Sequence, residues 1–188
     1  MTTFDLNTMD KESESTGSDF FKIPEGKTRL RVLTDFTKVQ TVWEGEYPNS
    51  KPLGHLQEGQ VIKDGQSVKT SGWIWAYISE VNGKEVNDLK IVQMGISIIG
   101  QIAKLKQDEE YSFEDMPMPF DITINNTGEG ANRYSITPAR KNTEVSAEVL
   151  ADLEEATPLA EIIEKIQAKG NETPVEYPES DDDKKVPF

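Results

Sequence analysis

Apolar and polar positions alternate with a period of two along five stretches of the chain and recur every three to four residues along three others. The first alternating stretch, "KTRLRVLTDFTKVQTVW" (27–43), predicts one long, bent strand. Residues 73–81 and 86–94, joined through Asn82-Gly83, predict a hairpin. Residues 119–126 and 132–138 flank a glycine-rich turn and predict a second hairpin, which Pro138 ends because it cannot donate to a ladder. In that hairpin Phe120, Ile122 and Ile124 share one face, as do Tyr134 and Ile136 on the partner. Between the hairpins, residues 95–107 place Ile98, Ile102 and Leu105 at i, i+4 and i+7, one apolar stripe of a helix.

Two shorter helical stripes follow. Val149, Leu150 and Leu153 form the first. Leu159, Ile162, Ile163 and Ile166 form the second, with Thr157 as cap, Pro158 at the first turn and Gly170 as stop. Residues 46–72 are polar and rich in glycine and proline, too long for a hairpin turn, and read as a functional loop or a small ribbon. Three strands, a helix and two strands is the order of the five-stranded OB-fold Greek-key barrel, whose helix bridges strands three and four. The expected architecture is mainly β. A flexible acidic segment spans 1–19, the OB-fold barrel 20–141, two short helices 142–170, and a disordered acidic tail 171–188.

Charge is where composition changes this picture. The net charge is −14. Residues 1–19 hold five acids and one lysine (−4), and residues 142–188 hold thirteen acids and four lysines (−9). Residues 20–141 hold sixteen acids and fifteen bases (−1), so the acidity belongs to the ends and the middle is nearly neutral. A nucleic-acid partner is therefore compatible with the central region. No cysteine is present and His55 is the one histidine, so no disulfide framework, zinc site or cofactor is expected. The first twenty residues show neither a basic start nor an apolar run, and no stretch reaches the roughly 18 apolar residues that cross a bilayer. The expectation is a cytoplasmic protein with no membrane partner.

The segment Trp73-Ile74-Trp75-Ala76-Tyr77-Ile78 is the most informative. In a strand, Trp73, Trp75 and Tyr77 point one way and the aliphatic residues the other. With the aliphatic set in a barrel interior, three rings face outward, where they can stack on successive bases at roughly 1–3 kcal/mol each. The opposing reading is that the long loop or the C-terminal helices cover them. Lys27, Arg29 and Arg31 share one strand face at a spacing of two, which suits a phosphate backbone or, equally, a solvated edge strand. Lys69, Lys90, Arg133, Arg140 and Lys141 are further candidate contacts. "GEG" at 128–130 lacks the lysine and helix of a phosphate loop, and no carboxylate pair or triad emerges, so an enzyme is not expected.

Four stretches, "FFKIPEGKTRLRVL", "GWIWAYI", "VQMGISIIGQIAKL" and "FDITINNTGEGANRYSITPAR", carry a resemblance to the OB-fold single-stranded-DNA-binding proteins of tailed bacteriophages and prophages, over about residues 20–141. The closing "DDDKKVPF" is similar to the acidic tip of bacterial single-stranded-DNA-binding proteins, interrupted here by Lys184-Lys185. The resemblance implies that Asp181, Asp182, Asp183, Val186, Pro187 and Phe188 dock a replication partner: polymerase, helicase or primase. The same acids can compete with DNA for the protein's own cations. The expected function is a sequence-tolerant single-stranded-DNA-binding protein that coats strands during phage-type replication and recombination, as a monomer or a homo-oligomer. The alternatives are an OB-fold module reading RNA or sugar, or an acidic mimic of DNA that occupies another enzyme.

Overall fold

The structure is a computed structural model that describes residues 19–46, 49–128, 130, 132–139 and 141–169. Residues 1–18 of the expected flexible segment, Arg140 and the expected tail 171–188 with its tip residues lie outside them.

The described residues form eight strands: β1 (Phe20–Phe21), β2 (Gly26–Val32), β3 (Thr37–Glu44), β4 (Lys51–His55), β5 (Gln66–Val81), β6 (Lys84–Gly95), β7 (Ile122–Asn126) and β8 (Tyr134–Pro138). Among the described residues three helices accompany them: α1 (Ile96–Lys106), α2 (Ala147–Glu155) and α3 (Leu159–Lys169). The expected first strand is two, β2 and β3, broken at residues 33–36. At the break Leu33 N–H donates to the Trp75 carbonyl and Trp75 N–H to Thr34 Oγ1, both at 3.0 Å. The 46–72 stretch contributes β4 and the beginning of β5.

The strands join one mixed sheet in the order β1-β6-β5-β2-β7-β8, with β3 on β5 and β4 on β3. At 16 residues β5 is long enough to serve two partners on one edge. Its first half pairs with β3 and its second half with β2. The β5–β6 turn is set by Asn82 (φ 51°) and Gly83 (φ 81°), the pair of positive φ values that a tight hairpin turn demands. Asn82 also secures the start of β2: its Oδ1 accepts from Lys27 N–H at 2.7 Å and its Nδ2 donates to the Glu25 carbonyl at 2.9 Å. Gly26 lies under that amide at φ 97°, and a Cβ there would stand 2.0 Å from Asn82 Oδ1.

The five-stranded OB-fold barrel is not formed. The sheet has eight strands and stays open, and no ladder joins β6 to β8 among the described residues. Both edges that closure would join are already occupied. On β6, Ile91 and Val92 pair in parallel with Phe20 and Phe21 of β1. On β8, the Gln101 side chain of α1 acts as a substitute strand: its Nε2 donates to the Tyr134 carbonyl and its Oε1 accepts from Ile136 N–H, each at 3.0 Å. The likeness to OB-fold single-stranded-DNA-binding proteins therefore fails at the level of architecture.

The sheet buries both of its faces along β5. On one face Leu30, Val32, Ile74, Ala76, Ile78, Val92, Met94, Ile122 and Ile124 form the main core. Ile98 and Ile102 of α1 close it, which is why that helix carries a narrow apolar stripe. On the other face α2 and α3 cover a second cluster, built from Val39, Trp73, Trp75, Ile91, Leu159 and Ile163. No helix among the described residues is long and apolar enough to cross a membrane.

Candidate nucleic-acid interface

The alternation of β5 does place Trp73, Trp75 and Tyr77 on one face, away from Ile74, Ala76 and Ile78. That face is not open. Trp73, Trp75 and Tyr77 are 3%, 7% and 5% exposed, so the expected free stacking platform is absent. Its cover comes from elements distant in sequence. Phe20 of β1 and His55 of β4 meet the Trp73 ring edge-on, with centroids at 4.9 and 5.7 Å. Leu159 and Ile163 of α3 pack over Trp75 and Ile91, and Trp75 Nε1 donates to the Thr157 carbonyl at 3.4 Å. Tyr77 donates its phenol proton to Asn87 Oδ1 at 2.9 Å. Burial, reinforced by the Asp121 and Glu85 charges, pushes the Tyr77 phenol above its usual value against the opposing pull of Arg31.

The candidate cations divide into separate places. Arg31 lies opposite Tyr77 on the same face, but its guanidinium is committed: Nε and Nη2 both reach Asp121 Oδ1 at 2.8 Å, and Nη2 donates to the Thr143 carbonyl at 2.9 Å. Lys90 sits opposite Ala76 and pairs with Asp88 at 3.0 Å. Arg133 is buried in the β7–β8 turn, with its guanidinium 4.7 Å from the Tyr134 ring. Lys69 lies on the β3–β4–β5 ribbon, its ammonium 3.8 Å above the Trp43 ring. Lys141 is exposed beside Asn142, whose Oδ1 accepts from Asp121 N–H.

Lys27 and Arg29 remain. Neither is in an ion pair among the described residues, and Arg29 Nε is a buried donor with no hydrogen-bond partner. Lys27 pairs in register with Asn125 and Arg29 with Thr123 of β7. Beyond them Ser135 and Thr137 of β8 continue the same rows. The result is a polar half-face of two cations, three hydroxyls and an amide, beside the covered aromatic half. Glu80 of β5 lies opposite Arg29 on the other side. Thr123, Asn125, Ser135 and Thr137 are not among the candidates that the sequence suggests. A signal for them exists, because each alternates with an inward Ile122, Ile124, Tyr134 or Ile136. Trp43 is not among them either, since one aromatic in a β-rich stretch says little before its neighbour Lys69 is known.

His55 shows what burial does to a titratable group here. It is 7% exposed, and desolvation holds its imidazole below the usual value of 6.5. As pH falls below about 6.5 the unfolded chain takes up a proton that the folded chain resists, so stability declines with falling pH until the folded group also titrates. His55→Gln should flatten that limb of a stability curve measured by urea unfolding between about pH 6.5 and 5. An unchanged slope would remove the assignment.

No protein-family model matches the sequence, and a search of curated proteins returns no significant relative.

Proposed function

We propose that the chain binds single-stranded DNA without reading its sequence, holding the phosphates along the polar half-face of β2, β7 and β8. The observation that supports this most directly is the pair Lys27 and Arg29: aligned, outside any ion pair among the described residues, and flanked by hydroxyl and amide groups in register. Cations two residues apart stand roughly 6.7 Å apart along a strand. The adjacent Thr123, Asn125, Ser135 and Thr137 can donate to phosphate oxygens, interactions that position a strand and carry no base information. The reading assigns no catalytic step. It is of a cytoplasmic protein that coats exposed strands during replication or recombination. Asp181, Asp182 and Asp183 would then compete with phosphate for the cations, while the Val186, Pro187 and Phe188 segment recruits a replication protein.

The test is a titration of labelled oligo(dT) at several salt concentrations. Lys27→Ala with Arg29→Ala should weaken binding and reduce the log–log salt slope by about 1.4, near 0.7 for each phosphate no longer neutralised. Glu80→Gln, which removes the acid facing Arg29, should tighten it. Removal of residues 171–188 should also tighten it and should end capture of replication proteins. Absence of oligo(dT) binding at low salt, or a slope that the double substitution leaves unchanged, would reject the assignment.

A further inference from the structure

A cleft of about 620 Å³ opens where α2 and α3 meet the edge of the sheet. Its floor is apolar: Trp75, Leu89 and Ile91 from the strands, Ile162 and Ile166 from α3. Its rim is acidic: Asp19, Asp88, Asp152 and Glu155. Among the described residues that line it the one cation, Lys165, is held by Glu161 at 2.7 Å, and Asp88 is met by Lys90 at 3.0 Å. Asp19, Asp152 and Glu155 have no ion pair among the described residues.

The placement of Asp152 and Glu155 runs against helix stability. They occupy the last turn of α2, which carries no basic residue, and the C-terminal end of a helix is the negative pole. Two carboxylates therefore add to an unfavourable field, and an arriving cation would relieve all three sources at once. A nucleic acid is repelled by this rim. The chain's own ends carry the same sign: residues 1–18 hold four acids and one lysine (−3), and residues 170–188 hold six acids and two lysines (−4). Lys184 and Lys185 could reach this rim only with Asp181, Asp182 and Asp183 beside them, so charge complementarity favours a basic segment from outside the chain, free of such acids.

We propose that this cleft docks a peptide segment of a partner protein in which one apolar side chain is flanked by lysine or arginine. The apolar group enters between Trp75 and Ile166, and the flanking cations meet Asp152, Glu155 and Asp19. The cleft has room for one side chain on its apolar floor, with the acids of the rim within reach of the charges beside it. The site is separate from Lys27 and Arg29 and does not depend on DNA binding.

The probe is a fluorescein-labelled nonapeptide with a central leucine flanked by arginines, followed by anisotropy against the full-length chain. Asp152→Asn with Glu155→Gln should weaken binding about tenfold, and a peptide with serine for leucine should lose it. Glu109→Gln with Glu110→Gln, an equal charge change on an exposed turn, should alter affinity less than twofold. Bound peptide should shift the emission of the wild-type chain, and that shift should be lost in Trp75→Phe. Lys27→Ala with Arg29→Ala should leave peptide binding intact while weakening oligo(dT). Equal losses from the two acid pairs would reduce the effect to general attraction by net charge and overturn the site. So would binding that emerges only after residues 170–188 are removed, which would make the tail the occupant.

Discussion

Asp121→Ala should destabilise the protein by about 3–5 kcal/mol, read as a lower midpoint in urea unfolding. Asp121 is 1% exposed, and its carboxylate is the counter-charge of an Arg31 side chain that is itself 15% exposed. Removing it leaves a guanidinium desolvated and unpaired, which is worse than never having buried the pair. The same carboxylate accepts from Thr143 N–H, so the segment leading from β8 towards α2 is released together with the charge. Against a total stability of roughly 5–15 kcal/mol the loss is large. Arg31→Met combined with Asp121→Leu should recover part of it, because no orphan charge remains, though Thr143 stays unmet. A loss below about 1 kcal/mol would mean that Arg31 finds water in the folded state and that the pair is peripheral.

Leu159→Ser with Ile163→Ser should undock α3 and uncover the aromatic row. Each side chain is nearly buried against Val39, Trp73, Trp75 and Ile91, and truncation of such a side chain costs about 2–3 kcal/mol. A free helix of 11 residues is marginal in water, so α3 should melt once its apolar stripe has no partner. Tryptophan emission should shift to the red and acrylamide should quench it. The amides of β2, β5 and β6 should keep their protection from exchange, because the main core lies on the opposite face. If oligo(dT) can reach the uncovered rings, affinity should rise by roughly 1–3 kcal/mol per stacked base. Unchanged emission in the variant would show that other elements bury the indoles.

Local structure was legible in the sequence, and assembly was not. Alternation located the β5–β6 hairpin, and the stripe Ile98, Ile102, Leu105 located α1, because both depend on neighbours in the chain. The same alternation said which side chains share the face of Trp75, but not what lies over it. Two unsatisfied faces were visible together: the rings of 73–77, and the stripe Leu159, Ile162, Ile163, Ile166. Each is the other's cover. Element order suggests a barrel, but the order of strands along the chain does not report which edges are free. The parallel pairing of Phe20 and Phe21 with β6 spans two residues and leaves no periodic trace. Arg31 and Arg29 looked equivalent, since a spacing of two fixes a common face and not a partner. Asp121, 90 residues away, makes one structural and leaves the other open.

Gln101 has a consequence for the fate of the protein in concentrated solution. Its amide hides the outermost N–H and C=O of the last strand, the groups through which a neighbouring molecule would otherwise add itself strand by strand. An aliphatic residue at that position would leave the helix in place and bare the template. Protection of this edge thus combines one carboxamide with a strand of five residues that ends in proline, and owes little to the strength of the core.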